Sequence, residues 1–200
     1  EGAKALLMGL GVRPGDRVLL INENCRAFVA LLLACSELEA CAVSVNARLS
    51  ALEIDNIRAH CQPRRTFYTA EVSLDAIAHG ERHGAEIREI SMLGKLSIGS
   101  LADVQEEPVF KESEKHVAAM IYTTGTTGNP KGVMLSHQNL LFISETTKDV
   151  RGFTPDDYVY LTLPLSHIFG LSSSLLTSLY AGATLHLVPG FNAAHLFKTL

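Results

Sequence analysis

The sequence predicts an α/β fold: alternating strand and helix layers built on mostly parallel sheets. Two observations predict it. Short β-rich runs alternate with amphipathic stretches, beginning at Arg17-Val18-Leu19-Leu20-Ile21, and that spacing argues for βαβ units whose sheet is covered on both faces. The chain is also 200 residues long with 47% hydrophobic content and a formal net charge of only -4, enough apolar mass to bury a sizeable core. No fixed-period repeat is present, which disfavours a solenoid.

Each element follows from local signals. The turn Arg13-Pro14-Gly15-Asp16 precedes the buried strand Arg17 to Ile21. Ala27 to Glu39 reads as a strongly apolar helix whose Leu31-Leu32-Leu33 belongs to the core. Ala42 to Val45 is a strand, and Ser50 to His60 a helix capped by Ser50 with Glu53 three residues on. Thr66-Phe67-Tyr68 is a further strand. Leu101 to His116, with Glu106-Glu107-Pro108 and the run Lys111 to Lys115, is polar and reads as a solvated connection. Alternation resumes with Ala118 to Tyr122 as strand, a glycine-rich loop, Val133 to Leu135 as strand and Gln138 to Val150 as helix. Ser136 reads as that helix's N-cap, which makes His137 structural. Tyr158 to Leu163 as strand, Ile168 to Tyr180 as helix and Ala183 to Val188 as strand complete the series. The organisation expected is a first βα region over 1–100, the connection over 101–116, and a second βα region over 117–200 that carries the loop.

Several function classes fall away on composition. No run of Lys or Arg exceeds Arg64-Arg65, so there is no electrostatic footprint for nucleic acid or an anionic membrane, and a small-molecule partner is expected. Cys25, Cys35, Cys41 and Cys61 show no CxxC spacing and read as reduced core residues. Of His60, His79, His83, His116, His186 and His195, only His79 and His83 stand four apart, and without the HExxH glutamate they read as no metal-ligand cluster; no GxSxG elbow occurs. No apolar run approaches the roughly 20 residues that span a bilayer, and the N-terminus lacks signal-peptide regions, so a cytoplasmic location is expected. The chain starts at Glu1 without methionine and stops inside a helical stretch, Asn192 to Leu200, so both ends read as cut. Oligomeric state is not legible.

The informative segment is Tyr122-Thr123-Thr124-Gly125-Thr126-Thr127-Gly128-Asn129-Pro130-Lys131-Gly132. Glycines let backbone amides approach a ligand, threonine hydroxyls add donors, and Lys131 supplies a compact positive charge; together they form an oxyanion cradle suited to phosphate. The nucleoside-triphosphatase pattern G-x-x-x-x-G-K-[ST] is not met. Pro130, which has no N–H, precedes the lysine, Gly132 replaces the metal-binding hydroxyl, and Gly132 to Leu135 reads as strand where that pattern needs a helix.

At these residues the chain resembles the adenylate-forming superfamily, which includes acyl-CoA synthetases, luciferase and the adenylation domains of peptide synthetases. Their signature Y-T-[ST]-G-T-T-G-x-P-K-G is met throughout Tyr122 to Gly132, Ser136 to Leu140 resembles its continuation, and similarity extends from Gly11-Val12-Arg13-Pro14-Gly15-Asp16 to the end. Ala34 to Asn46 is similar to an early helix and strand, except that Glu39 stands where many members have glycine.

The resemblance implies part of a large N-terminal domain, with Thr123, Thr124, Gly125, Thr126, Thr127, Gly128 and Lys131 on the ATP phosphates and Thr123 also on or near Mg²⁺. It implies a second site segment in Leu163-Pro164-Leu165-Ser166-His167-Ile168-Phe169-Gly170. There His167 lies by the acyl carboxylate and AMP, and Phe169 and Gly170 border the acyl group. Read alone, a histidine among apolar residues is more often structural. The implied reaction joins a carboxylic acid to ATP as acyl-AMP, then to CoA as thioester. A peptide-synthetase or luciferase-like adenylating domain and a non-catalytic nucleotide-binding module are the alternatives. The adenine, ribose and C-terminal lysine motifs of such enzymes are absent from these 200 residues, which are expected to be inactive by themselves.

Overall fold

The computed structural model describes residues 2–124, 130–191 and 193–199. In chain order the elements are α1 (Gly2–Gly9), β1 (Arg17–Asn22), α2 (Arg26–Glu37), β2 (Cys41–Asn46), α3 (Ala51–Cys61), β3 (Arg65–Tyr68), α4 (Leu74–Arg82), β4 (Glu86–Ile90) and β5 (Gly94–Ile98). After the irregular and mostly exposed stretch 101–116 come β6 (Val117–Thr124), β7 (Pro130–Ser136), α5 (His137–Arg151), β8 (Tyr158–Leu161), a helical run from Ile168 to Ala181, β9 (Thr184–Leu187) and a last helix, Ala193–Thr199.

Among the described residues the main sheet has the order β4-β5-β3-β1-β2-β6-β7. Its centre, β3-β1-β2-β6, is parallel as predicted. The edges are antiparallel, with β5 against β3, β4 against β5 and β7 against β6. The reason is connection length: only residues 91–93 separate β4 from β5 and only 125–129 separate β6 from β7, whereas a parallel crossover needs a dozen residues or more. A second, two-stranded parallel sheet pairs β8 with β9.

The continuous apolar runs of β1 and β2 are buried on both faces of the main sheet. Val18, Leu20 and Ala42 point to one side, where they pack with Phe28, Leu31 and Leu165. Leu19, Ile21, Val43 and Val45 point to the other, against Ile54 and Ile57 of α3. Burying each of the larger side chains contributes about 1.5–3 kcal/mol. All four cysteines are free and buried in these layers, and burial pushes the Cys41 and Cys61 thiols up to about 12. The predicted caps are formed: Ser50 with Glu53, and Ser136 with Asn139.

The stretch after residue 101 is strapped to the amino ends of the parallel strands. Glu107 N donates to Gly15 O at 2.9 Å, Arg17 pairs with Glu107 at 2.8 Å and Arg13 with Glu106 at 2.8 Å. The strap leaves the carboxyl ends, where open α/β sheets bind ligands, free for the segments that follow.

Candidate functional site

The glycine-rich hairpin begins at the carboxyl end of β6. Thr123 stands directly opposite Lys131, and Thr124 opposite Pro130. Opposed residues on an antiparallel pair share a face, with Cβ atoms about 4.5–5.5 Å apart. The Thr123 hydroxyl and the Lys131 ammonium therefore leave the sheet side by side, and both residues are exposed. Strand alternation puts them on the face of Ala119 and Ile121, the side on which Leu165 packs. Gly125, Thr126, Thr127 and Gly128 lie outside the described residues, as does the side chain of Thr124.

The opposite face of the hairpin explains Gly132. It pairs with Tyr122 across the strands, and a Cβ there would sit 2.6 Å from Met120 Sδ and 3.3 Å from the Tyr122 ring. Tyr122 in turn meets His60 of α3, with its hydroxyl 2.6 Å from His60 Nδ1. Burial pushes the Tyr122 phenol above its ordinary range, so it stays neutral and holds the base of the hairpin onto α3.

His167 lies at the start of the helical run, and its Nδ1 accepts a hydrogen bond from Phe169 N at 3.3 Å. With Nδ1 as acceptor, the neutral ring carries its proton on Nε2. His167 is exposed and so is Phe169, at 42%; the Nε2–H is an outward donor suited to a carboxylate or phosphate oxygen. The Arg151 guanidinium lies 5.1 Å from the centre of the Phe169 ring. Gly170 is buried, and a Cβ on it would come within 2.2 Å of Pro164 O. Its part in the structure is thus to let the helix start against the preceding loop.

Sequence reasoning missed the residues that carry this loop. Asn24 Oδ1 accepts from Leu165 N at 2.9 Å, and its Nδ2 donates to Leu163 O at 2.9 Å. Ser44 Oγ donates to Leu165 O at 3.3 Å, and Asn22 Nδ2 donates to Ser44 Oγ at 3.1 Å. The available signal was a pair of asparagines closing an apolar strand, since buried polar side chains need a partner. Among the described residues Asn22 Oδ1 is buried without a hydrogen-bond partner, and Asn22 lines a cavity of about 90 Å³ with Asn24, Asn46, Arg48, Ser166 and others. At that cavity Arg48 grips Glu23 with two bonds of 3.1 Å.

Among the described residues no cluster of three or more His, Cys, Asp or Glu is arranged to hold a metal ion. Thr123 offers a single hydroxyl, which fits Mg²⁺ only in the manner of nucleotide sites, where phosphates and water supply most of the ligands. No helix among these residues is long and apolar enough to cross a membrane.

Known proteins share both the sequence and the fold. The 4-coumarate–CoA ligase of Pinus taeda is 32% identical over an aligned length of 197 that covers 93% of this chain and 36% of that protein. A feruloyl-CoA synthase from an Amycolatopsis species is 29% identical over 189 residues, again 93% and 36%. ATP-bound MatB from Rhodopseudomonas palustris superposes with a TM-score of 0.74 at 26% identity, covering 98% of this chain and 39% of that one. The chain thus spans a little over a third of the length of these relatives. The sequence model of the AMP-binding enzymes matches residues 2–200, and the chain belongs to that family.

Proposed function

We propose that the protein activates a carboxylic acid with ATP and transfers the acyl group to CoA, these residues supplying the phosphate-binding hairpin. The observation that carries the reading is the cross-strand pair of Thr123 and Lys131 beneath a signature met residue by residue. In the first step a carboxylate oxygen attacks the α-phosphorus of ATP; the new bond joins that oxygen to phosphorus, and the bond to the β-phosphate oxygen breaks. Charge grows on the departing pyrophosphate, where the Lys131 ammonium and Thr123 hydroxyl act as donors, together with the residues Thr124 to Gly128 that the signature assigns to the phosphates. Mg²⁺, bound through the phosphates with Thr123 as a protein ligand or close neighbour, would neutralise part of that charge. The His167 Nε2–H orients the acid and steadies the oxygen shared by acyl and phosphate groups, beside an acyl site bordered by Phe169 and Gly170. In the second step the CoA thiol displaces AMP.

The relatives named above support an acid–CoA ligase over other adenylating enzymes. An ATP–pyrophosphate exchange screen of the complete protein against short, medium, long and aromatic acids tests the reading. Exchange that depends on one class of acid is expected; no exchange with any acid, in protein shown to be folded, rejects it.

A further inference from the structure

The loop that ends in His167 has no regular secondary structure, yet its backbone is held at two points, and the end of β8 before it at a third, by one side chain from another element. Asn24 follows β1 by two residues and is 1% exposed. Its carboxamide accepts from Leu165 N at 2.9 Å and donates to Leu163 O at 2.9 Å and Leu161 O at 3.4 Å. It therefore presents to the loop what a neighbouring strand would present, on both sides of Pro164, which has no N–H. The partners fix the orientation of the amide, because reversing it would set Oδ1 against two carbonyl oxygens and the NH₂ against an N–H.

The hold passes directly to the histidine. His167 N donates to Pro164 O at 3.0 Å, between the two clamped residues, and the ring is then pinned by Phe169 N. Leu165 is fully buried in the main core, and its carbonyl is held by Ser44. Among the described residues, the hydrogen bond given to the His167 ring is that to the Phe169 amide; the position of the ring is otherwise inherited from this backbone.

We infer that Asn24 is the positioning residue for His167, setting the ring through its clamp on Leu161, Leu163 and Leu165. This rests on the acid-activation reading of the same site. Only a neutral side chain of this length with both donor and acceptor serves. Leucine has the shape without the bonds, and aspartate would set a charge beside two carbonyl oxygens.

The test is a double-mutant cycle in the complete protein, reading acid-dependent pyrophosphate exchange for wild type, Asn24→Leu, His167→Ala and the double variant, with thermal unfolding as a check on folding. Asn24→Leu is expected to lower kcat about 10- to 100-fold, the scale of a misplaced catalytic group, with KM for ATP changed less than about 3-fold. Added to His167→Ala it should cost less than about 2-fold more, because both changes remove one effect. Losses that multiply in the double variant, or a wild-type kcat for Asn24→Leu, overturn the inference. If Asn24→Leu fails to fold, Asn24→Asp, which keeps the acceptor for Leu165, carries the same cycle. Wild-type exchange by His167→Ala would overturn the inference together with the role of His167, whereas absence of exchange in the wild type would count against the function itself.

Discussion

Thr123 and Lys131 meet because an antiparallel register sets them opposite each other, and the ammonium is the only full positive charge in the signature segment. Removing one preorganised donor from a site of developing negative charge costs on the order of 100- to 1,000-fold in rate. Lys131→Ala in the complete protein is expected to lower acid-dependent pyrophosphate exchange by that amount; a rate within a few-fold of wild type would contradict the assignment. Glu39 is a residue whose structural cost the sequence half revealed. Resemblance marked it as a departure from glycine, and the structure gives the reason: Glu39 has φ 59°, in the left-handed region, where it ends α2 with Ala40 N bonded to Cys35 O. A side chain there costs about 1–2 kcal/mol, part of which glycine returns as backbone entropy. Glu39→Gly should therefore raise stability by about 0.5–1 kcal/mol, read as a higher urea midpoint at unchanged slope.

Between elements, a Tyr–His–Asp chain ties β3, α4 and α3 together. His83 Nδ1 lies 2.7 Å from Tyr68 Oη and its Nε2 lies 2.8 Å from Asp55 Oδ1, while Arg82 holds both Asp55 oxygens at 2.7 Å. Burial lowers the His83 pKa; the Asp55 carboxylate opposes that shift, and Arg58 and Arg82 reinforce it. Asp55 is itself lowered, first by Arg82 and then by His83. Because folded His83 resists the proton, its contribution is complete above its unfolded pKa near about 6.5 and is lost as pH falls from there toward its lower folded value. The Asp55 contribution is lost only further into acid, below about 3.9. Unfolding in urea should thus show a midpoint that falls between pH 7 and pH 5, and falls less in His83→Gln; equal slopes would rule the histidine out.

None of that chain was legible, since Asp55, Tyr68 and His83 are far apart in sequence, and α4, β4 and β5 were not predicted at all. Glu86 to Ile90 carries three charges in five residues and lies exposed along the sheet edge, so it has none of the apolar run that revealed β1 and β2. The helix after His167 was predicted, but not that Leu171–Leu176 is wound as a π-helix. There Ser174 Oγ and Thr177 Oγ1 donate to carbonyls five residues back, Phe169 O and Ser172 O. A run of serines gives no sign of that choice in advance.

For the molecule as a whole, the sequence made the alternating layers and the parallel centre of the sheet plain because the central strands are buried on both faces and so are apolar throughout, but not the order of the strands. It concealed the polar seam of Asn22, Asn24 and Ser44, whose meaning depends on a loop some 120 to 140 residues later. These residues span 36% of the coumarate ligase relative, and the adenine- and ribose-binding motifs implied by the resemblance are not among them. The isolated 200-residue chain should therefore form no acyl-AMP above background when incubated with ATP, Mg²⁺ and an acid that the complete protein activates; robust synthesis would show that the hairpin and the His167 loop suffice. The proposed function stands on the Tyr122–Gly132 segment receiving the triphosphate. Its most direct test is a crystal structure of the complete protein with ATP and Mg²⁺. β- and γ-phosphate oxygens are expected within hydrogen-bonding distance of Lys131 Nζ and the Thr123 hydroxyl; a triphosphate bound elsewhere, with Lys131 turned to bulk water, would remove the basis for the proposed function.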